Sequence, residues 1–141
     1  MAQTEIPIDK IEAYLDTYYR VGVGPDAFVL QVGQHSPALA LLYKQNGCDC
    51  AVFITAFNPF GRKQVDSANE DAHERLREQL DGPSNRVIEG VGADPTEKWK
   101  EKSYLAFGLD ADTARELGRR FRQDAVVWIG SDAVPQLLLL R

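Results

Sequence analysis

Asn58, Arg62 and Lys63 stand in a short loop where an apolar run gives way to a helix, and these residue types can build a site for a small polar or anionic group. The run Ala51-Val52-Phe53-Ile54-Thr55-Ala56-Phe57 reads as a strand. Asn58-Pro59 ends it, because proline has no N–H for the ladder and keeps its predecessor out of the helical region. Ser67-Ala68-Asn69-Glu70 matches a capping box and predicts a helix to Leu80. In open α/β sheets, ligands collect beyond the carboxyl ends of strands. The helix start near Ser67 to Asn69 presents unpaired N–H groups and the positive end of the dipole. Arg62 and Lys63 add two cations, so a carboxylate or phosphate fits the loop. Turn chemistry and a solvated basic pair account for the same residues without any ligand.

Other chemistry is weaker. His73 lies one turn after Asn69 and is a candidate general base, since its pKa range suits proton transfer. A histidine in line with Leu76 and Leu80 also suits plain packing. No Gly-x-Ser-x-Gly elbow occurs, and no nucleophile sits beside an evident base, so the enzyme question stays open. Gly22-Val23-Gly24-Pro25-Asp26-Ala27 and Gly90-Val91-Gly92 both fail as phosphate loops, which must follow a strand and open a helix. The first reads as following a helix. Asp94, Glu97 and Glu101 lack calcium-loop spacing, so no metal site is read. Cys48 and Cys50 share one face of an extended segment without zinc spacing and read as free thiols. No cofactor is implied. Arg115, Arg119 and Arg122 form one stripe of a late helix. It reads as a solvated face offset by Glu116 and Asp124, or as a contact for a protein partner.

The elements that position these residues follow from pattern. Ile8, Ile11, Leu15 and Tyr18 recur at helical spacing and predict a first helix, Ile8 to Tyr19, with a buried stripe. Ala27 to Val32 predicts a strand. Ser36 with Pro37 starts a second helix, which Asn46-Gly47 ends in a left-handed cap. Asp81-Gly82-Pro83 stops the third helix. Arg86 to Val91 and Ser103 to Leu109 predict antiparallel strands around the polar loop that holds Trp99. Asp110 or Asp112 caps a fourth helix to about Arg122, and Ala125 to Ile129 pairs with Ala133 to Leu140 as a hairpin.

Composition narrows the class. The chain has 141 residues, enough for one domain (1–141) with an unaided core. The net charge of −5 and pI near 5.0 argue against nucleic-acid binding. No signal-peptide core and no membrane-length apolar run is present, and two unpaired cysteines suit a cytoplasmic protein.

The segment Phe53-Ile54-Thr55-Ala56-Phe57-Asn58-Pro59, then Asn69, then Trp99 and Glu101, then Phe121-x-Gln123-x-Ala125-x-x-Trp128, resembles a known family. It is the bacterial family filed as domain of unknown function 3293. The resemblance runs from about Tyr14 to Trp128 and implies a small stand-alone bacterial protein, with no reaction attached. Lys102 stands where the family usually has a further acidic or polar residue, and Arg122 where glycine is frequent. The resemblance points to one constellation, Asn58, Asn69, Glu101 and Gln123. Those amides offer donors and acceptors, and Glu101 adds an acceptor or a base, which suits recognition better than attack. The expected architecture is an α/β sandwich with a mixed sheet of about six strands and four helices. The expected function is small-ligand binding at the loop Asn58 to Lys63, the alternative a non-catalytic protein-interaction module.

Overall fold

The structure is a computed structural model describing residues 4–81 and 86–141. In chain order the elements are α1 (Ile8–Asp16), β1 (Tyr18–Val21), β2 (Phe28–Leu30), α2 (Pro37–Asn46), β3 (Ala51–Ile54), α3 (Asp66–Leu80), β4 (Val87–Ala93), β5 (Lys100–Phe107), α4 (Ala111–Arg120), β6 (Ala125–Ile129) and β7 (Pro135–Leu139). The seven strands form one curled sheet in the order β2-β1-β4-β5-β3-β6-β7. The α/β class and the four helices agree with the sequence reading. The strand count is seven rather than six, and every pairing in the sheet is antiparallel rather than mixed.

Strand β3 is buried at all four positions because helices cover both faces of the sheet there. Ala51 and Phe53 point to one core with Leu39 and Tyr43 of α2. Val52 and Ile54 point to the other, with Leu76 and Leu80 of α3 and Leu117 of α4. The period of two continues across the sheet, with Leu105 and Val127 on the first face and Ala106 and Val126 on the second.

The extra strand is β1, which the sequence reading had assigned to the end of the first helix. The helix stops at Asp16, where the Thr17 hydroxyl turns back to the carbonyl of Ala13 at 2.7 Å. The β-formers Tyr18 to Val21 then pair with β4 on one side and β2 on the other. The predicted buried stripe is also overturned. No α1 residue is buried, Ile8 is 74% exposed, and Tyr19 and Val21, not Tyr18, enter the core. The turn from Gly22 therefore follows a strand, yet leads into β2 through a single 3-10 turn at Gly24–Asp26, so it still opens no α-helix.

Capping agrees in part. Ser36 accepts from Leu39 N, Gly47 takes the left-handed position at φ 63°, and Asp110 accepts from Thr113 N. The capping box at Ser67 does not form. Helix α3 is capped two residues earlier, at Val65, whose side chain makes no cap hydrogen bond, and starts at Asp66. The Gly82-Pro83 part of the predicted helix stop lies outside the described residues.

The two glycines of β4 differ sharply. A Cβ at Gly90 meets the Arg20 carbonyl oxygen at 2.6 Å and the Phe53 ring at 2.8 Å, whereas one at Gly92 meets nothing closer than 3.9 Å. Gly90→Ala is expected to lose about 1–3 kcal/mol by overpacking. Gly92→Ala should hold or gain up to about 1 kcal/mol by limiting the unfolded chain. Urea titrations of both variants check the contrast.

Candidate functional site

The strand register places a row of inward-facing positions side by side. Tyr19 pairs with Gly92, and Gly92 with Glu101. Because Gly92 has no side chain, a gap opens between the Tyr19 ring and the Glu101 carboxylate. Thr55, Ser103, Ala125 and Leu137 extend the same face, and α1 contributes Tyr14, with Thr17 just beyond its end. The result is a cavity of about 70 Å³ whose polar walls are Asn58, Glu101 and Gln123. Gly92 of the Gly90-x-Gly92 pair, no phosphate loop, serves instead as its floor.

Asn58 is fixed before any ligand arrives. It adopts a left-handed conformation at φ 47°, tolerated by asparagine better than by most residues. Its Nδ2 donates to Glu101 Oε2 at 2.9 Å, and its Oδ1 accepts from Asn69 Nδ2 at 3.0 Å and from Gln64 N at 3.1 Å. The Asn58 backbone N–H in turn donates to Asn69 Oδ1, which also takes Gln64 Nε2. Asn69 is thus buried behind Asn58 and positions it, without lining the cavity itself. Gln123 Nε2 donates to the carbonyls of Phe57 and Phe121, tying the strand end to the turn after α4.

A second cluster clamps the same loop. Phe60 is left-handed at φ 55°, a strained position for a bulky residue. Its N–H donates to Arg122 O at 2.7 Å, and its carbonyl accepts from Lys10 Nζ at 3.0 Å. The Arg141 guanidinium lies 4.6 Å from its ring centroid. Lys10 and Arg141 both pair with Asp124, whose side chain is fully buried. Asp124 therefore does not offset the arginine stripe, as the sequence reading had it. It ties α1 to the chain beyond β7. Arg115 pairs with Asp112, and Arg120 with Glu116.

Electrostatics separate the half-buried Glu101 from the buried Asp124. Burial pushes the Glu101 carboxyl above its ordinary value, opposed by the Asn58 hydrogen bond and the Lys10 charge. Burial also pushes Asp124 up, but hydrogen bonds and charges from Lys10 and Arg141 outweigh it and hold the carboxyl low. Burial raises the Tyr14 phenol, with the Asp124 and Glu101 charges adding, so it keeps its proton.

The family model described as a protein of unknown function, DUF3293, matches residues 54–126, just over half of the chain. The chain belongs to this family. No curated protein and no solved structure matches it. The DUF3293 segment runs from the last residue of β3 into β6 and carries Asn58, Gln64, Asn69, Glu101 and Gln123. It is shorter than the resemblance read from Tyr14, and leaves out the α1 and β1 walls of the cavity.

The remaining candidates lie elsewhere. Arg62 and Lys63 are exposed and do not line the cavity. His73 sits on the opposite face of the sheet, stacked on Tyr104 at 4.2 Å and edge-on to Phe57. Burial lowers its pKa, and its Nδ1 has no hydrogen-bond partner among the described residues. His73→Phe is therefore expected to be neutral or stabilising at pH 8. Because the folded pKa is depressed, the unfolded chain takes up a proton first as pH falls below 6.5, and wild-type stability declines there. That part of the decline should vanish in His73→Phe, as chemical denaturation between pH 8 and 5 will show.

Asp94 is engaged locally, accepting from Thr96 Oγ1 and Trp99 N. Among the described residues, no group of three metal-ligating side chains forms, both cysteines are free, and no helix is long and apolar enough to cross a membrane. A wider groove of about 740 Å³ separates α3 from α4, but its Arg120 is already bonded to Gln79 and Glu116. Sequence reasoning missed Tyr14, Tyr19, Gln64 and Gly92. Only the alternation of Tyr19, Val21 and the β4 glycines held a signal for them.

Proposed function

We propose that this chain binds a small polar ligand in the cavity at Asn58, Glu101 and Gln123. The observation that carries the reading is the half-buried carboxylate of Glu101, held by Asn58 beside an unfilled gap over Gly92. A fold selected for stability alone would fill that gap and discard the charge. The proposed site has moved from the basic pair Arg62 and Lys63 to the cavity behind Asn58. The chemistry proposed is recognition, since Ser103 Oγ donates to the backbone carbonyl of Glu101 rather than to a base.

The test is a thermal-shift screen across small metabolites with wild type, Asn58→Ala and Gly92→Val. A ligand at about 100 times its Kd adds about 2.7 kcal/mol of stability. Valine at position 92 fills the gap in a strand-compatible shape and should abolish the shift while leaving the fold intact. A shift that survives Gly92→Val places the ligand elsewhere and removes this reading.

A second reading, a non-catalytic protein-interaction module, is favoured by one observation: α1 buries none of its residues and exposes Ile8 at 74% and Leu15 at 45%. A partner whose capture is lost in Leu15→Glu, with ligand binding unchanged, supports that role.

A further inference from the structure

We propose that the group recognised in the cavity is the primary ammonium head of a small amine; the inference rests on the ligand-site reading above and names its ligand class. Charge is the first support. Among the described residues lining the cavity, Glu101 alone carries a formal charge. The nearby cations Lys10 and Arg141 are both engaged with Asp124. A carboxylate or phosphate entering the gap therefore meets a half-buried negative charge, whereas an ammonium meets its counter-ion.

Hydrogen-bond accounting gives the second support. Gln123 Nε2 is spent on two carbonyls, Tyr19 Oη donates to Tyr14 O, and Asn58 Nδ2 donates to Glu101 Oε2. Glu101 Oε1 and Gln123 Oε1 accept nothing from the described residues. The Thr17, Thr55 and Ser103 hydroxyls also spend their protons on carbonyls, so the free capacity of the lining is weighted to acceptors, against two donors, the Tyr14 hydroxyl and the Trp99 ring N–H. An ammonium, with three donors and no acceptor, is the complementary group.

The walls supply the third. Tyr14, Tyr19, Phe53 and Trp99 contribute aromatic rings, and a cation near such rings is attracted by their quadrupoles. The volume of about 70 Å³ is roughly half of the ~150 Å³ that holds benzene, which sets the head at about three or four heavy atoms. A longer amine extends past Trp99, the most exposed of the four rings.

The experiment titrates the ¹⁵N-labelled full chain with n-propylammonium chloride, sodium propionate and 1-propanol at matched ionic strength. Propylammonium is expected to move the Gly92 and Ser103 amides saturably, and Glu101→Gln to weaken its binding by about tenfold or more. Glutamine keeps the acceptor for Asn58, so a wild-type-like spectrum is expected for the variant. Propionate or propanol binding at those amides as tightly as propylammonium overturns the ammonium class and leaves the ligand site standing. Unchanged propylammonium affinity in Glu101→Gln overturns the class in the same way. No saturable shift with any of the three probes overturns both the class and the site.

Discussion

Replacing Lys10 and Arg141 together by methionine is expected to destabilise the chain by about 3–5 kcal/mol at neutral pH. Asp124 has a fully buried side chain, and these two cations are its ion-pair partners. Removing both leaves a carboxylate in the interior without compensation, which costs more than the attraction of the pairs suggests. The clamp on strained Phe60 loosens as well, since Lys10 holds its carbonyl and Arg141 covers its ring. The pH dependence carries the sign. In wild type the Asp124 pKa is held below its ordinary 3.8, so its contribution is full above that value and is lost as pH falls through the folded pKa. In the double variant the unpaired carboxyl is raised by burial, so protonation should recover stability as the solution is acidified. Adding Asp124→Asn should restore much of the loss at neutral pH. Urea unfolding of the three chains reads all of this, and a deficit under about 1 kcal/mol means that water reaches Asp124.

Glu101→Gln should do the opposite to stability while weakening the proposed ligand binding. The folded pKa of Glu101 is raised, so the fold disfavours the charged form. That cost is full above the raised value and disappears as pH falls towards the ordinary 4.5. The variant is expected to gain about 1 kcal/mol at neutral pH, the range usual when a destabilising functional group is relieved. The gain should close on acidification. Binding of a ligand that pairs with the carboxylate should weaken by about tenfold or more, at least about 1.4 kcal/mol. Paired melts and ligand titrations measure both effects. A variant less stable than wild type at neutral pH means that Glu101 is there to hold Asn58 and serves architecture.

Much of the fold was legible because local chemistry and tertiary context agree. Ser36, Gly47 and Asp110 cap helices by their own side chains or backbone freedom, and β3 is apolar on both faces because helices cover both. The first helix misled because Ile8, Ile11, Leu15 and Tyr18 keep helical spacing while α1 turns Tyr14 to the cavity and Lys10 to Asp124. Its apolar residues therefore stay outside, and Tyr18 leaves the helix for β1. Periodicity reports an apolar stripe, not what covers it.

The site was legible in its polar residues and not in its construction. Asn58, Glu101 and Gln123 line one cavity, and Asn69 supports Asn58 from behind. Their convergence depends on register, above all Gly92 against Tyr19 and Glu101, and register follows from pairings across the whole chain. The Asp124 cluster was hidden for the same reason, since Lys10 and Arg141 lie at opposite ends of the sequence. Arg62 and Lys63 were the most conspicuous charges nearby and point away from the cavity lining because the turn after Asn58 runs along the surface.

The most direct measurement is the carboxyl-carbon NMR titration of Glu101, with and without saturating n-propylammonium. The account predicts a midpoint above 4.5 in the free protein and a downward shift when the amine binds. A midpoint at or below 4.5 that no ligand moves would contradict it.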